Sequence, residues 1–326
     1  MTFRIYAAAL GLAPAVASVI SPISAHACAC GCGVFDTGVT SITPQASDSG
    51  LAMFLRFSTM AQRDNREQGH AASPDDNADK RIQTDFYTIG ASYTIGQAWT
   101  IMAEVPIYDR KFTTTGEEGG VETVPLTAMG DAVVQATWTG LSRDKATGLG
   151  FGIKLPTGRI ASPLDAGGDP AYDRDTMPGT GSTDLQVTGY HVGHLTRKAR
   201  WFVHAQYQFA VGTRDAYRPG NELDASAGVS YDLPAGRTMI SPSVQLIGSM
   251  RAHDSGDNAD PLNSGYQRLL IAPGLRVQLS RKLSVYADVA IPLAQYVNAA
   301  RPADNADSMG QLVAPALFKL QVNYGF

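Results

Sequence analysis

Cys28, Cys30 and Cys32 lie one residue apart in the run Cys-Ala-Cys-Gly-Cys-Gly, and the chain holds no other cysteine. Thiolates crowded in this way suit a soft metal ion such as Cu(I) or Zn(II), although the run lacks the paired spacing of a zinc site. Three thiols cannot all pair within one chain. A one-residue spacer also brings two of them too close for an unstrained bridge in extended backbone. An intermolecular or strained disulfide and a tail without special chemistry therefore stand beside metal binding, and no other cofactor is expected. His191, His194 and His204 have the residue type for nucleophilic catalysis, but no catalytic motif surrounds them. A lone strand histidine is more often structural, and the expectation is that the chain is no enzyme.

A second set of candidates is charged: Arg56, Glu104, Lys154, His204, Asp224, Asp232, Arg268, Arg276, Asp288 and Lys319 fall on the polar phase of alternating segments. Both signs occur, so they form no single-sign selectivity ring. They pair with one another and brace a wall, or they line a polar path for a solute. A third set is acidic and lies in polar links: Asp75, Asp76 and Asp79; Glu117, Glu118 and Glu122; Asp165, Asp169, Asp173 and Asp175; Asp254, Asp257 and Asp260. Carboxylates are ligands for hard cations, so calcium or magnesium bridging to lipopolysaccharide is one reading. Solvated loops are the simpler one, because the EF-hand spacing is absent.

These residues need elements to hold them, and the chain announces export first. Arg4 precedes an apolar stretch from Ile5 to Ile20, and Ala25-His26-Ala27 has the small-x-small form of a cleavage site. The expected division is a signal peptide over 1–27, a Cys/Gly-containing periplasmic segment over 28–49 and a membrane domain over 50–326. Of the 326 residues 17% are charged, against about 25% in soluble domains. Past the N-terminus no run approaches the ~18 apolar residues of a membrane helix, which excludes a multi-helix transporter. The net charge of -4 argues against a nucleic-acid partner.

What remains is alternation with a period of two, in segments of about ten residues, the signature of a transmembrane barrel. Leu51, Met53, Leu55 and Phe57 share one face, while Ala52, Phe54, Arg56 and Ser58 share the other. Similar segments follow to the end of the chain, about twelve in all, with Asp184 to His194 the least clear because neither face is plainly apolar. Short links, such as 96–97 and 281–282, alternate with long polar ones over 63–81, 109–127, 156–180, 212–221, 252–265 and 297–311. This sorting fits one barrel end in the periplasm and the other outside. Trp99, Trp138, Trp201, Tyr93 and Tyr324 lie near segment ends, where amphipathic rings suit the headgroup level. The final segment puts Phe318, Leu320, Val322, Tyr324 and Phe326 on one face and resembles an outer-membrane recognition strand. The fold class predicted is all-β, an antiparallel transmembrane barrel of about twelve strands.

Three short motifs carry a family likeness: Gly130-Asp131, Lys154-Leu155-Pro156-Thr157-Gly158 and Gly179-Thr180-Gly181-Ser182-Thr183-Asp184. Together with the terminal Phe326 they resemble the outer-membrane transporter family named after the MetA pathway of phenol degradation, best over 86–233. The resemblance implies an outer-membrane barrel that passes small, hydrophobic or aromatic molecules. Its expected partners are outer-membrane lipid and lipopolysaccharide, the barrel assembly machinery and a small-molecule solute, with no nucleic acid. The motifs mark strand ends and turns and are not a substrate pocket. The cysteine run is foreign to the family signature. A scaffold or metal-handling barrel that docks a periplasmic partner through its tail is the alternative, and an outer-membrane enzyme is a third class.

Overall fold

The computed structural model describes residues 50–96, 98–116, 119–160, 174–299 and 310–326. Twelve strands close into a barrel: β1 (Gly50–Gln62), β2 (Asp79–Ile95), β3 (Trp99–Thr115), β4 (Ala132–Trp138), β5 (Thr147–Leu155), β6 (Thr183–His194), β7 (Ala199–Gly212), β8 (Glu222–Tyr231), β9 (Thr238–Arg251), β10 (Tyr266–Gln278), β11 (Leu283–Val297) and β12 (Leu317–Gly325). Each pairs antiparallel with its sequence neighbours, and β1 pairs with β12 from Ala52–Gly325 to Met60–Leu317. Closure matters because lipid offers no hydrogen bonds, so an open edge would leave main-chain groups unpaired.

Alternation places apolar side chains outside. Leu55, Ile89 and Phe151 are more than half exposed, whereas their strand neighbours Arg56, Thr88 and Gly152 are buried. Exposed apolar side chains on every strand are unfavourable in water and suit a lipid surface. The segment with the least clear sequence pattern follows the same rule as β6: Leu185 and Val187 face out and Gln186 and Thr188 face in. At the end with the short turns, Trp99 stacks on Trp138 at 6.4 Å between ring centroids, and Tyr324 meets Phe326 at 5.1 Å.

The long-link end departs from expectation. The link predicted over 109–127 is mostly a hairpin: β3 continues to Thr115 and pairs with Val121–Met129. Here the outward positions turn polar (Asp109, Lys111, Thr113), and Phe112, Val124 and Leu126 face inward. The strands therefore rise beyond the apolar belt, and the sequence pattern reads as a loop because its phases have exchanged. Residues 63–81 likewise contain short strands over Asp64–Glu67 and His70–Ala71, and Asp79 already belongs to β2. Gln311–Val313 pairs with the first of these short strands. The reading of the acidic links as wholly solvated also fails, since Asp79 and Asp254 are buried and bonded.

Candidate functional site

The inward side chains lie in tiers between the two ends. Near the short turns, Arg200 meets Asp232 at 3.0 Å and Ser241 donates to the same carboxylate at 2.6 Å. Arg276 lies in this tier and donates to Gln278 at 3.0 Å. Above it, Phe202 and Tyr286 form an apolar cluster joined by Tyr190 and Val192. Their strands, β7 and β11, are separated by β8, β9 and β10 in the ring, so the two rings meet over the intervening wall and narrow the lumen. Tyr286 also donates to Asp288 at 2.8 Å.

The middle tier holds the ion pair of Arg56 with Glu104 at 2.9 Å. His204 and Lys319 are buried inward, the latter in register with Asp288. Higher on the β8–β10 wall, Asp224 is in register with Ser249 and Ser249 with Arg268. The Arg268 guanidinium lies 4.4 Å from the Tyr266 ring centroid, and Tyr266 donates to Glu222 at 2.6 Å. Nine of the ten charged residues read from the sequence thus fall in separate tiers, and the tenth, Lys154, lies in the knot described next. Cys28, Cys30, Cys32 and the cleavage site lie outside the described residues.

The motif residues read as turn markers are the parts of one hydrogen-bonded knot. Asp131, just before β4, accepts from the main chain of Gly158 and Thr180, both at 2.9 Å, and from the Thr180 hydroxyl at 2.7 Å. Lys154 reaches Asp184 at 2.6 Å and donates to Thr180 Oγ1 at 2.8 Å. Ser182 and Gln208 donate to the two oxygens of Asp184. Both ends of the long segment between β5 and β6 are thus tied to the wall by carboxylates that are almost fully buried. Gly158 and Gly179 touch main chain to main chain: a Cβ on Gly179 would lie 2.4 Å from the Gly158 carbonyl carbon. Only glycine allows that approach.

The knot directs residues 174–180 over the mouth. Met177 is buried with Ile82, Phe112, Leu126 and Leu312, like a stopper against the inner wall. Arg174 lies 4.7 Å from the Tyr217 ring centroid, and Tyr217 donates to Asp254 at 2.6 Å. Arg251 and the Gly220 main chain also bond Asp254, at 2.6 and 2.7 Å, so three extended links interlock. Burial pushes the Asp175 carboxyl up to about 7, with Asp254 and Asp260 adding to the rise and Arg251 opposing it. Burial likewise holds Tyr217 well above its usual value. Among the described residues no three metal-ligating side chains gather into a cluster.

A small cavity, open to solvent, completes the site. The pairing of β11 with β12 stops at Ala290–Leu317, although β11 runs on to Val297. Beyond that point its edge is met by the Gln68–Val297 bridge and by the bond from Gln295 to the Ala314 carbonyl. The cavity fills this gap. Its lining joins the apolar inner residues Ile247, Leu270 and Ala290 to Arg268 and Lys319, and includes Tyr296 and Gln267 from the outer face.

No family model and no curated protein matches the sequence. Solved structures match the fold. An outer membrane channel from Pseudomonas putida F1 superposes with a TM-score of 0.62 at 11% identity, covering 86% of this chain and 96% of that one. The β domain of the Bordetella autotransporter BrkA gives a TM-score of 0.53 at 14% identity, covering 86% and 100%. This chain therefore has the fold of the outer-membrane β-barrels, as the resemblance to the transporter family implies.

Proposed function

We propose that the protein is a passive outer-membrane channel for small solutes, with a preference for apolar or aromatic ones, and that it performs no covalent chemistry. One observation carries the reading: the cavity beside β11 joins an apolar patch of the inner wall to the outer face of the barrel. Apolar pocket walls with a few polar groups suit small organic molecules. The fold shared with the Pseudomonas putida channel supports it. In this reading 1–27 is the cleaved export signal, 28–49 lies in the periplasm, the short turns face the periplasm, and the interlocked links face lipopolysaccharide. The strand ending in Phe326 is then what the barrel assembly machinery engages.

The refolded mature protein in planar bilayers gives discrete conductance steps, and liposomes containing it take up toluene faster than empty ones. Absence of both effects refutes the proposal.

A further inference from the structure

One inward side chain belongs to none of the tiers above. Arg110 on β3 is fully buried, and its Nε donates to Thr84 Oγ1 at 3.0 Å. Neither terminal nitrogen has a hydrogen-bond partner among the described residues. No carboxylate among the described residues lies within ion-pair distance of it. Asp109 on the same strand faces outward. An arginine carries five N–H donors and stays charged in proteins, so four donors are unsatisfied here. The Tyr108 ring, 5.4 Å away, offers only its π face. A buried guanidinium left in this condition is unfavourable until something pairs with it.

The surroundings define what would satisfy it. Cross-strand register places Thr84 on one side of Arg110 and Leu126 on the other, with Phe112 above and Tyr108 below. Phe86 packs edge-on against Tyr108 at 4.8 Å. Two parallel amino groups match the two oxygens of a carboxylate, and the ring-lined walls match an aromatic body. A single cation without a second basic neighbour fits a monoanion better than a phosphate dianion. We infer that Arg110 is an anion seat for an aromatic monocarboxylate, closed in this structure by Met177 packed on Phe112 and Leu126. The inference rests on the channel reading and narrows its solute class: Arg110 holds the acid and the Tyr108, Phe112 and Phe86 rings beside it flank the aromatic body.

The test is calorimetric titration of the full mature chain, refolded in detergent, with benzoate and with the neutral benzyl alcohol. Wild type is expected to bind benzoate at least tenfold more tightly, with an advantage that shrinks in salt. Arg110→Met is expected to abolish the difference while leaving benzyl alcohol unaffected, and Arg110→Lys to restore part of it. Met177→Ala, which unstops the seat, should raise benzoate affinity, whereas a purely structural arginine would leave it unchanged. Equal binding of the two compounds by wild type overturns the inference even if Arg110→Met fails to fold. So does a Met177→Ala protein that binds benzoate no better than wild type. Conductance steps recorded on the same wild-type preparation separate the two proposals, because they persist if only the anion seat is wrong.

Discussion

Replacing Asp131 by alanine tests the knot that holds the mouth closed. The carboxylate accepts three hydrogen bonds, at 2.9, 2.9 and 2.7 Å, two of them from the main chain of Gly158 and Thr180. Bonds to a buried charged acceptor contribute about 1.5–3 kcal/mol each, and they are not additive when they share one acceptor. Losing the set should weaken docking of 156–160 and 174–182 by about 3–5 kcal/mol, the range seen when one partner of a buried charged network is removed. At about 1.4 kcal/mol per decade, the main-chain amides of Gly158 and Thr180 should then exchange with solvent roughly 100 to 4,000 times faster. Hydrogen exchange read by mass spectrometry on peptides covering 156–160 and 178–184 measures this directly. Peptides from β10 and β11 serve as internal controls, since the barrel wall keeps its own pairing. Asp131→Asn should fall between, because its amide can still accept from one donor but opposes the Thr180 N–H with one of its own. Exchange at Gly158 and Thr180 within twofold of wild type in Asp131→Ala would falsify the knot.

Gly179→Val should release the same segment by forcing a side chain into the Gly158 main chain, at a cost of about 1–3 kcal/mol or more; faster tryptic cleavage at Arg174 with unchanged heat-modifiable mobility of the barrel reports it. The docked segment favours the protonated form of Asp175, whose value of about 7 lies above its ordinary 3.8. The contribution of Asp175 to docking is therefore fully present below pH 4, falls as pH rises toward 7 and is lost beyond it. Asp175→Asn should flatten that profile in exchange measurements taken from pH 4 to 8. Removing Phe326 deletes one main-chain bond to Leu51 at 3.0 Å and an exposed ring. The refolded barrel should lose about 1 kcal/mol or less, whereas the amount assembled in cells should fall roughly tenfold if the end strand is read by edge pairing. Tyr286→Ala should widen the constriction beside Phe202 and raise single-channel conductance in symmetric potassium chloride.

The barrel was legible residue by residue because strand alternation is a local property: one position in two must be apolar wherever one face meets lipid. That argument placed Arg56, Lys154 and Lys319 on the inner face and found the final strand. It failed at Arg110 for a physical reason, since above the lipid belt the outward positions become polar and the inward ones apolar. A segment carrying Asp109, Lys111 and Thr113 therefore reads as a loop. The glycine and threonine motifs were visible as marks in the chain, but their meaning was not. Asp131, Gly158 and Thr180 are far apart in sequence, and nothing local states that one carboxylate will collect the amides of both others.

By itself the sequence determined the class of fold, the strand phases, the two unlike ends and the mixed charge of the interior. Each of these follows from which side chains suit lipid and which suit a polar interior, and that choice is made one residue at a time. Only the closed ring decided that Phe202 and Tyr286 meet, that β12 starts too low to cover β11, that Met177 stops the mouth and that Arg110 is buried with no carboxylate beside it among the described residues. These depend on register summed around twelve strands and on links folding back over the rim. Contacts of that kind are set by the geometry of closure, which no stretch of the chain encodes alone.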